Sequence, residues 1–473
     1  MVFSSEIFLF LFLPAFLAIY YVFPFRFRSL IIVVFSYGFY GWWRIDFLLL
    51  LMGMTLWVYF FGGLVHRAAG SIWQRRYCMI GIAGCLAVLG VFKYLNFFVD
   101  SLATLLGASA DDLGFTLRVI LPIGISFFVF HAISYLIDIL RKEVQPAGRL
   151  VDFAAFIALF PHLVAGPVLR YKDLSEQLRQ RSHTLDKFTE GIRWFVFGLA
   201  KKILIADSIA PLVTTIYSHD NPSFVEAWLG AIAYTVQLYF DFSGYSEMAV
   251  GLGLMIGIRF INNFDCPYIS RSITEFWRRW HISLSVWLRD YLYIPLGGNR
   301  KGPVRTYVNL LTTMLLGGLW HGANWTFLVW GAWHGGLLAI ERWWVSRGGS
   351  EQRSWAIGLP LTTLLVIVGW VLFRAPDFTT ALDVYAGMVG LNGLAVRPEV
   401  DWQLSREGIA VLLAGIVIIY AEPWARRASV AWQTAENTGA IRQAVAFTTL
   451  LCGVISVFRI AELSYSPFLY FQF

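Results

Sequence analysis

Apolar stretches long enough to cross a lipid bilayer recur along the whole sequence, and this recurrence limits the folds that the chain can adopt. Of its 473 residues, 58% are hydrophobic and only 14% are charged, whereas soluble domains carry about 25% charged residues. A soluble protein of this size could not bury so much apolar surface. Because a spanning helix needs about 20 mostly apolar residues, the sequence predicts an all-α polytopic membrane protein.

The apolar stretches predict about 11–13 membrane segments, of which several are shorter than a full span. We place them near residues 7–23, 30–65 (two segments), 78–98, 119–140, 152–169, 192–217, 228–258 (one or two), 304–345 (two), 356–373, 408–420 and 443–458. The segments near 152–169 and 408–420 are short enough to be re-entrant or tilted. Residues 1–6 contain no basic residue, so the first segment is expected to be a retained span rather than a cleaved signal peptide.

Basic residues are concentrated in a few loops, which the positive-inside rule assigns to the cytoplasm. The stretches 170–202 and 259–305 carry eight each, and Arg26 and Arg28 follow the first span. This distribution places the N-terminus outside the membrane, and it predicts that the tail 460–473 also emerges outside. We therefore attribute the formal net charge of +7 to the membrane topology of the chain. The sequence contains no polar basic domain that would bind nucleic acid.

The segment 274–292 has the spacing of an amphipathic helix. Its aromatic and apolar face carries, at steps of three and four residues, Trp277, Trp280, His281, Leu284, Trp287, Leu288 and Tyr291. Because Arg278 and Arg289 lie on the opposite face, we expect the helix to lie along the membrane surface with His281 on its buried side. His281 is then either a core histidine bonded to a carbonyl group or a functional imidazole.

His321 lies within an apolar stretch and has glycines at 317, 318 and 322. An ionisable side chain at membrane depth is costly and indicates function, and the glycines would let another backbone or a slim ligand approach. The alternative is a histidine that packs between helices among small residues. His334 would lie about 220° further around a continuous helix, so we expect no metal site shared by the two histidines, and no other spacing indicates metal ligands.

Two carboxylates, Asp241 and Glu247, interrupt the apolar stretch 228–258. Such acids can orient a histidine or take part in proton transfer. They can also bond the backbone where a membrane helix is broken. The pattern of residues is compatible with either role.

Three blocks of sequence resemble the membrane-bound O-acyltransferase (MBOAT) family. They are Tyr239–Gly253, Glu275–Gly298 with its Phe-Trp-Arg-Arg-Trp-His-Ile-Ser-Leu-Ser run, and the Gly317-Gly318-Leu-Trp-His321-Gly motif. The opening Met-Val-Phe-Ser-Ser, Leu121-Pro-Ile-Gly-Ile-Ser and Phe160-Pro-His-Leu-Val-Ala-Gly-Pro resemble the branch of that family that acetylates bacterial exopolysaccharides. The resemblance covers nearly the whole chain.

The resemblance implies tilted helices around a thin central floor that is pierced by a tunnel. It implies one MBOAT membrane domain over residues 1–459, with its core at about 119–345, and a periplasmic tail at 460–473. The expected activity is O-acetylation of an exopolysaccharide, either alginate or cellulose, by a multi-pass enzyme of the bacterial inner membrane. The alternatives are another acceptor (teichoic acid, lipid or protein) or a non-enzymatic transporter or flippase.

The resemblance also implies the donor and the partners. Acetyl-CoA from the cytoplasm is the expected donor, and no permanently bound cofactor is expected. A periplasmic SGNH-type acetyltransferase, or another subunit of exopolysaccharide acetylation, is expected to pass the acetyl group to the polysaccharide, while membrane lipids surround the chain.

The family's histidine position maps to His321, and its second polar position maps to His281. Both are the expected catalytic residues. Supporting roles are expected for Asp241, Glu247, Trp320 and Asn324, and the candidates for binding the phosphates of CoA are Arg278, Arg279 and Arg289.

The chain ends in Phe468-Leu-Tyr470-Phe-Gln-Phe. This Phe-x-Tyr-Phe motif resembles the tail of a small partner protein in teichoic acid D-alanylation, where the tyrosine is thought to carry the acyl group. Tyr470 is therefore either an acyl carrier or part of an aromatic anchor at the membrane interface.

Overall fold

The computed structural model describes residues 1–116, 118–433, 438–462 and 468–469, and within these ranges the chain forms helices and no β-strand. It divides into two compact units. Unit 1 comprises Met1–Ile192 and Ala249–Ile261, and unit 2 comprises Arg193–Met248 and Asn262–Phe473. The prediction of an all-α polytopic membrane protein is confirmed.

The first helices of the chain lie in unit 1. They are α1 (Leu13–Val22), α2 (Arg28–Gly41), α3 (Ile45–Arg67), α4 (Ile72–Leu89), α5 (Leu95–Leu105), α6 (Ile125–Leu140), α7 (Leu150–Ala158), α8 (Phe160–Leu163) and α9 (Tyr171–Arg179). A π-helical segment, Ile7–Phe12, leads into α1, and another, Gly90–Tyr94, joins α4 to α5.

The helices that follow carry the remaining sequence blocks. They are α10 (Leu185–Ala200), α11 (Asp207–Tyr217), α12 (Phe224–Met255), α13 (Ile273–Arg279), α14 (Ile282–Leu288), α15 (Pro303–His321), α16 (Trp325–Ser346), α17 (Trp355–Arg374), α18 (Phe378–Met388), α19 (Pro398–Gln403), α20 (Arg406–Gln433) and α21 (Thr438–Glu462). The π-helical segment Lys201–Ala206 joins α10 to α11, and Arg289–Tyr293 extends α14.

Within the described residues, five helices are long and apolar enough to cross a membrane. They are Ile45–Arg67, Ile72–Leu105, Trp355–Arg374, Arg406–Arg426 and Arg442–Glu462, and two shorter apolar helices are Ile7–Val22 and Ile125–Leu140. The short segment expected near 152–169 is split between α7 and α8. The segment near 408–420 is instead part of the long helix α20, because the helix continues through polar residues at both ends of the apolar run.

Helices α10 and α12 approach each other backbone to backbone in unit 2. A Cβ atom added to Gly244 would lie 2.6 Å from the carbonyl oxygen of Gly198, and one added to Gly198 would lie 2.5 Å from the carbonyl oxygen of Gly244. Only glycine leaves room for this contact. The contact matters for the site because α12 carries Asp241 and Glu247.

Replacing Gly244 with alanine is expected to destabilise the protein, because the added methyl group would push α10 and α12 apart. Overpacking of this kind costs about 1–3 kcal/mol, which a lower melting temperature of the purified protein in detergent would report. Gly63→Ala in α3 is the matched control, since a Cβ there meets no atom within 4 Å. Equal melting temperatures for the two variants would contradict the tight contact.

Candidate active site

The segment predicted to be one helix over 274–292 is broken at Trp280 and His281. Helix α13 ends at Arg279, Trp280 is extended, and His281 has a left-handed backbone with φ 43° and ψ 56° before α14 begins. The prediction of a continuous helix is therefore wrong, although both halves keep the helical spacing that suggested it. His281 is fully buried, as predicted.

Residues Asn263–Asp265 stabilise the helix break by hydrogen bonding to the backbone on both sides of it. The amide of Asp265 donates to the carbonyl of Arg279 (2.9 Å), and the amide of Ile282 donates to the carbonyl of Asn263 (2.9 Å). The side-chain oxygen of Asn263 accepts a hydrogen bond from the amide of Ser283 (3.1 Å). These contacts satisfy backbone groups that the broken helix leaves without a partner.

The start of α13 is fixed by side chains on either side. The hydroxyl of Ser272 accepts a hydrogen bond from the amide of Glu275 (3.0 Å) as the N-cap. The carboxylate of Glu341 in α16 accepts hydrogen bonds from the amides of Ile273 (2.8 Å) and Thr274 (2.9 Å). A negative charge at a helix N-terminus is stabilising, so α16 fixes the approach to His281.

His321 is the last residue of α15, and a sharp turn leads from it into α16. Helices α15 and α16 touch through glycine, because a Cβ on Gly318 would collide with the carbonyl oxygen of Phe327. The predicted close approach of another backbone to these glycines is confirmed at this position. Asn324 caps α16, since its side-chain oxygen accepts from the amide of Thr326 (3.2 Å) and its amide group donates to the carbonyl of Pro376 (2.7 Å).

These elements bring His281 and His321 together. Their ring centroids lie 6.3 Å apart, and the side chains are 0% and 4% exposed, respectively. Trp320 lies beside both rings, at 5.9 Å from His281 and 5.0 Å from His321. Two imidazoles that face each other inside an apolar enclosure can take up and return a proton away from bulk water.

Aromatic side chains that the sequence reasoning did not select enclose the two histidines. Phe242 of α12 contacts His281 edge to face at 4.6 Å. Trp330 and Phe373 contact His321 at 5.2 Å and 5.1 Å. Phe242 stands next to Asp241 in a sequence block that was singled out, but Trp330 and Phe373 lie outside those blocks, and aromatic residues are too frequent in this chain for composition to reveal them.

His334 is also buried in this aromatic region. Its ring lies 5.1 Å from that of Trp330, which in turn contacts His321. The two histidines do not share one helix as assumed from the sequence, because the chain turns between His321 and Trp325. Among the residues that the structure describes, no three His, Cys, Asp or Glu side chains gather in a way that could hold a metal ion.

Asp241 forms a buried ion pair with Lys202. The ammonium of Lys202 lies 2.7 Å from one oxygen of Asp241 and 2.6 Å from Asp207, and the Lys202 side chain is 3% exposed. Lys202 was predicted to lie in a basic loop, but it is buried in the π-helical segment Lys201–Ala206 that joins α10 to α11. Asp241 lies in the middle of helix α12, which is unbroken. The alternative prediction, that this carboxylate bonds the backbone at a helix break, is therefore wrong for Asp241.

Asp241 also holds the C-terminal tail. Its second carboxylate oxygen accepts a hydrogen bond from the amide of Leu469 (3.0 Å). The ring of Phe468 stacks on Tyr245 at 4.5 Å and lies 6.1 Å from Phe242. Both tail residues are buried. The ring of Phe242 therefore lies between Phe468 and His281 and contacts both. Tyr470 itself lies outside the described residues.

Glu247 belongs to a second ion-pair network. Lys201 lies 2.5 Å from Glu247 and 3.7 Å from Glu422 of α20, and Arg426 lies 2.8 Å from Glu422. The hydroxyl of Tyr239 donates to Glu422 at 2.5 Å. Glu247 thus ties α12 to α20 through Lys201.

The three arginines proposed for CoA differ in their surroundings. Arg278 and Arg289 have side chains that are 64% and 58% exposed, and they pair with Glu351 and Asp290, respectively. Arg279 is more buried and contacts both Glu275 (3.0 Å) and Asp265 (3.3 Å). Arg278 and Arg289 are therefore the more accessible of the three.

The chain is similar to known proteins over its full length. A model of the MBOAT, membrane-bound O-acyltransferase family matches residues 125–347, which include both histidines. A probable alginate O-acetylase, AlgI, of Pseudomonas putida is 50% identical over all of both chains, and that of Pseudomonas aeruginosa is 45% identical over all of both chains. A peptidoglycan O-acetyltransferase of Helicobacter pylori is 32% identical over 89% of this chain and 86% of its own.

Replacing Lys202 with methionine is expected to destabilise the protein strongly. The change leaves the carboxylates of Asp207 and Asp241 buried without their cation, and breaking a buried pair in this way costs about 3–5 kcal/mol. Thermal unfolding in detergent measures the loss. Arg118→Gln serves as the control, because its exposed pair with Asp100 contributes only about 0–1 kcal/mol. Similar melting temperatures for both variants would show that the buried pair is not structural.

Proposed function

Because the chain belongs to the membrane-bound O-acyltransferase family and is an O-acyltransferase, we propose that it acetylates an exopolysaccharide and that the polymer is alginate. Full-length similarity to probable alginate O-acetylases supports this choice of polymer. The burial of His281 and His321 in one aromatic enclosure is the structural observation that supports acyl-transfer chemistry. We place the enzyme in the inner membrane with both termini in the periplasm, following its charge distribution.

The proposed donor is acetyl-CoA from the cytoplasm. The exposed guanidinium groups of Arg278 and Arg289 are suited to its phosphates, because positive charge at a protein surface attracts anionic ligands. The thioester would then reach the buried histidines while the nucleotide stays at the surface. No group has to remain bound between reaction cycles.

In the proposed reaction, His321 acts as the general base. As the acceptor hydroxyl oxygen attacks the thioester carbonyl carbon, its proton passes to the imidazole of His321. The carbon–sulfur bond breaks, and the departing thiolate of CoA takes up that proton. His281 lies on the other side of the enclosure and would position the thioester or polarise its carbonyl group.

The first acceptor in this scheme is Tyr470. Asp241 holds Leu469, and Phe468 packs beside Phe242, which contacts His281. This tether supports a role for the tail close to the reacting groups. A phenol, with a pKa of about 10, is a better leaving group than a sugar hydroxyl, so an acetylated tyrosine would stay transferable. A periplasmic partner of the SGNH type would then pass the acetyl group to the polymer.

Another glycan acceptor is the second candidate. The similarity to a peptidoglycan O-acetyltransferase favours it. Expression of this chain in a host that makes both polymers, but lacks its own O-acetylases, distinguishes the two. Acetyl esters on alginate alone support the first proposal, whereas esters on peptidoglycan alone would replace it.

Replacing His321 with alanine is expected to reduce polymer acetylation about 10²–10⁴-fold, the usual contribution of general-base catalysis. Alginate O-acetyl content in a complemented host lacking its own O-acetylase measures the effect, and immunoblotting of membranes confirms that the variant is inserted. His66→Ala, which removes an exposed histidine of α3, should leave acetylation unchanged. Full acetylation by the His321 variant would remove this residue from the mechanism.

Tyr470→Phe is expected to abolish acetylation while preserving membrane insertion. The change deletes the hydroxyl that would receive the acetyl group and keeps the aromatic ring that an interfacial anchor needs. Mass spectrometry of the C-terminal peptide after incubation with labelled acetyl-CoA should show label on the wild-type chain and none on the variant. Wild-type activity in the variant would reduce the tail to an anchor.

A further inference from the structure

Unit 1 contains two neighbouring arginines that the proposed reaction does not use. They are Arg28 at the start of α2 and Arg181 after α9, and the neutral side chains beside them are His183, Tyr20 and Ser29. We call this group the Arg28–Arg181 cluster. Arg181 is only 8% exposed, which is unusual for an arginine unless a partner compensates its charge.

The cluster offers the two guanidinium groups only neutral hydrogen-bond partners. Arg181 donates to the hydroxyls of Tyr20 (3.2 Å) and Ser29 (2.9 Å) and to the carbonyl of Leu178 (3.3 Å). A guanidinium nitrogen of Arg28 lies 2.9 Å from Nδ1 of His183. The Nε atoms of both arginines are buried and donate to no atom among the residues that the structure describes.

No carboxylate of the described residues pairs with either arginine of the cluster. By contrast, Arg259 of the same unit pairs with Glu190 (2.9 Å), and Arg44 pairs with Asp46. Arg181 is buried and Arg28 is half-buried. This arrangement is unfavourable, because each guanidinium loses hydration without gaining a counter-charge. A bound anion would supply the counter-charge.

The histidine does not add to the positive charge. Burial, followed by the nearby guanidiniums of Arg28 and Arg181, lowers the pKa of His183 to about 4. At neutral pH its imidazole is therefore uncharged and can accept a hydrogen bond from Arg28. The hydroxyl of Tyr20, within 3.0 Å of the ring, fixes this arrangement by donating to the carbonyl of Ile256 (3.0 Å).

The surroundings of the cluster are those of a membrane interface. It lies where the apolar helix Ile7–Val22 ends, and the following turn exposes large apolar side chains. Val22 is 80% exposed, and Phe23 and Phe25 are each 46% exposed. Exposed aromatic residues next to basic residues at the end of an apolar helix are typical of the level of lipid headgroups, and basic pockets between helices bind anionic headgroups.

We propose that Arg28 and Arg181 bind the phosphate of an anionic phospholipid, whose acyl chains lie along the exposed apolar side chains of residues 22–27. The phosphate oxygens would accept hydrogen bonds from the guanidinium groups, which bind phosphate through several parallel N–H donors. The site goes beyond the proposed acetyl transfer, because it needs neither donor nor acceptor. It would anchor the turn between α1 and α2 to the lipid surface.

The test uses the full-length protein purified in a neutral detergent and stripped of lipid. Phosphatidylglycerol should raise its melting temperature, and native mass spectrometry should detect the bound lipid, whereas phosphatidylcholine with the same acyl chains should have little effect. Arg181→Gln should weaken phosphatidylglycerol binding about tenfold or more, because it removes charge-assisted hydrogen bonds. Arg28→Gln, at a less buried position, tests the site if the Arg181 variant fails to fold.

The control is Arg259→Gln, which removes an exposed arginine from the same unit that already has Glu190 as its partner. It should bind phosphatidylglycerol as the wild type does. Inorganic phosphate and CoA are each titrated separately into the lipid-free protein, and the melting temperature is measured. If either raises the melting temperature and blocks the lipid, the site belongs to a soluble phosphate and the lipid assignment is wrong. Equal responses to both phospholipids, or an unchanged response in the Arg28 and Arg181 variants, would also overturn it.

Discussion

The left-handed backbone of His281 is the constraint on which the arrangement of the site depends. A non-glycine residue in this conformation costs on the order of 1–3 kcal/mol and persists only where its surroundings enforce it. Here the enforcement comes from Asn263–Asp265, which hydrogen-bonds to both sides of the break. Without the break, α13 would continue through residue 281 and the imidazole would follow the helix. With it, His281 faces His321 across a short aromatic enclosure.

Lys202 in unit 2 and Arg181 in unit 1 are both buried cationic side chains, but among the described residues only Lys202 has a carboxylate partner. In unit 2, Lys202 is neutralised by Asp207 and Asp241, and Asp241 uses its other oxygen to hold the C-terminal tail. In unit 1, Arg28 and Arg181 pair with no carboxylate of the residues that the structure describes. A charge removed from water needs a counter-charge. The first arrangement supplies it inside the protein and thereby holds the tail, whereas the second is the basis of the proposed lipid site.

Sequence reasoning succeeded where one-dimensional patterns carry the information. Apolar run length indicated the helices, and the glycines of the 317–322 motif indicated the close packing that Gly318 makes with Phe327. It failed where a distant segment changes the local structure. The heptad-like spacing of 274–292 is the same for a continuous helix and for two short ones. Lys202 looked like a loop charge because its partner Asp241 is 39 residues away in sequence.

The sequence by itself determined that this chain is an all-α membrane protein of the O-acyltransferase family, and it predicted His281 and His321 as catalytic residues. Hydropathy and long motifs can be recognised in a sequence without knowledge of tertiary contacts. Only the tertiary structure decided how those histidines meet, which aromatic rings enclose them and what holds the tail beside them. The physical reason is that a helix break, a buried ion pair and a ring contact each depend on groups brought together from separate helices. Local sequence specifies each helix but not the neighbour against which it packs.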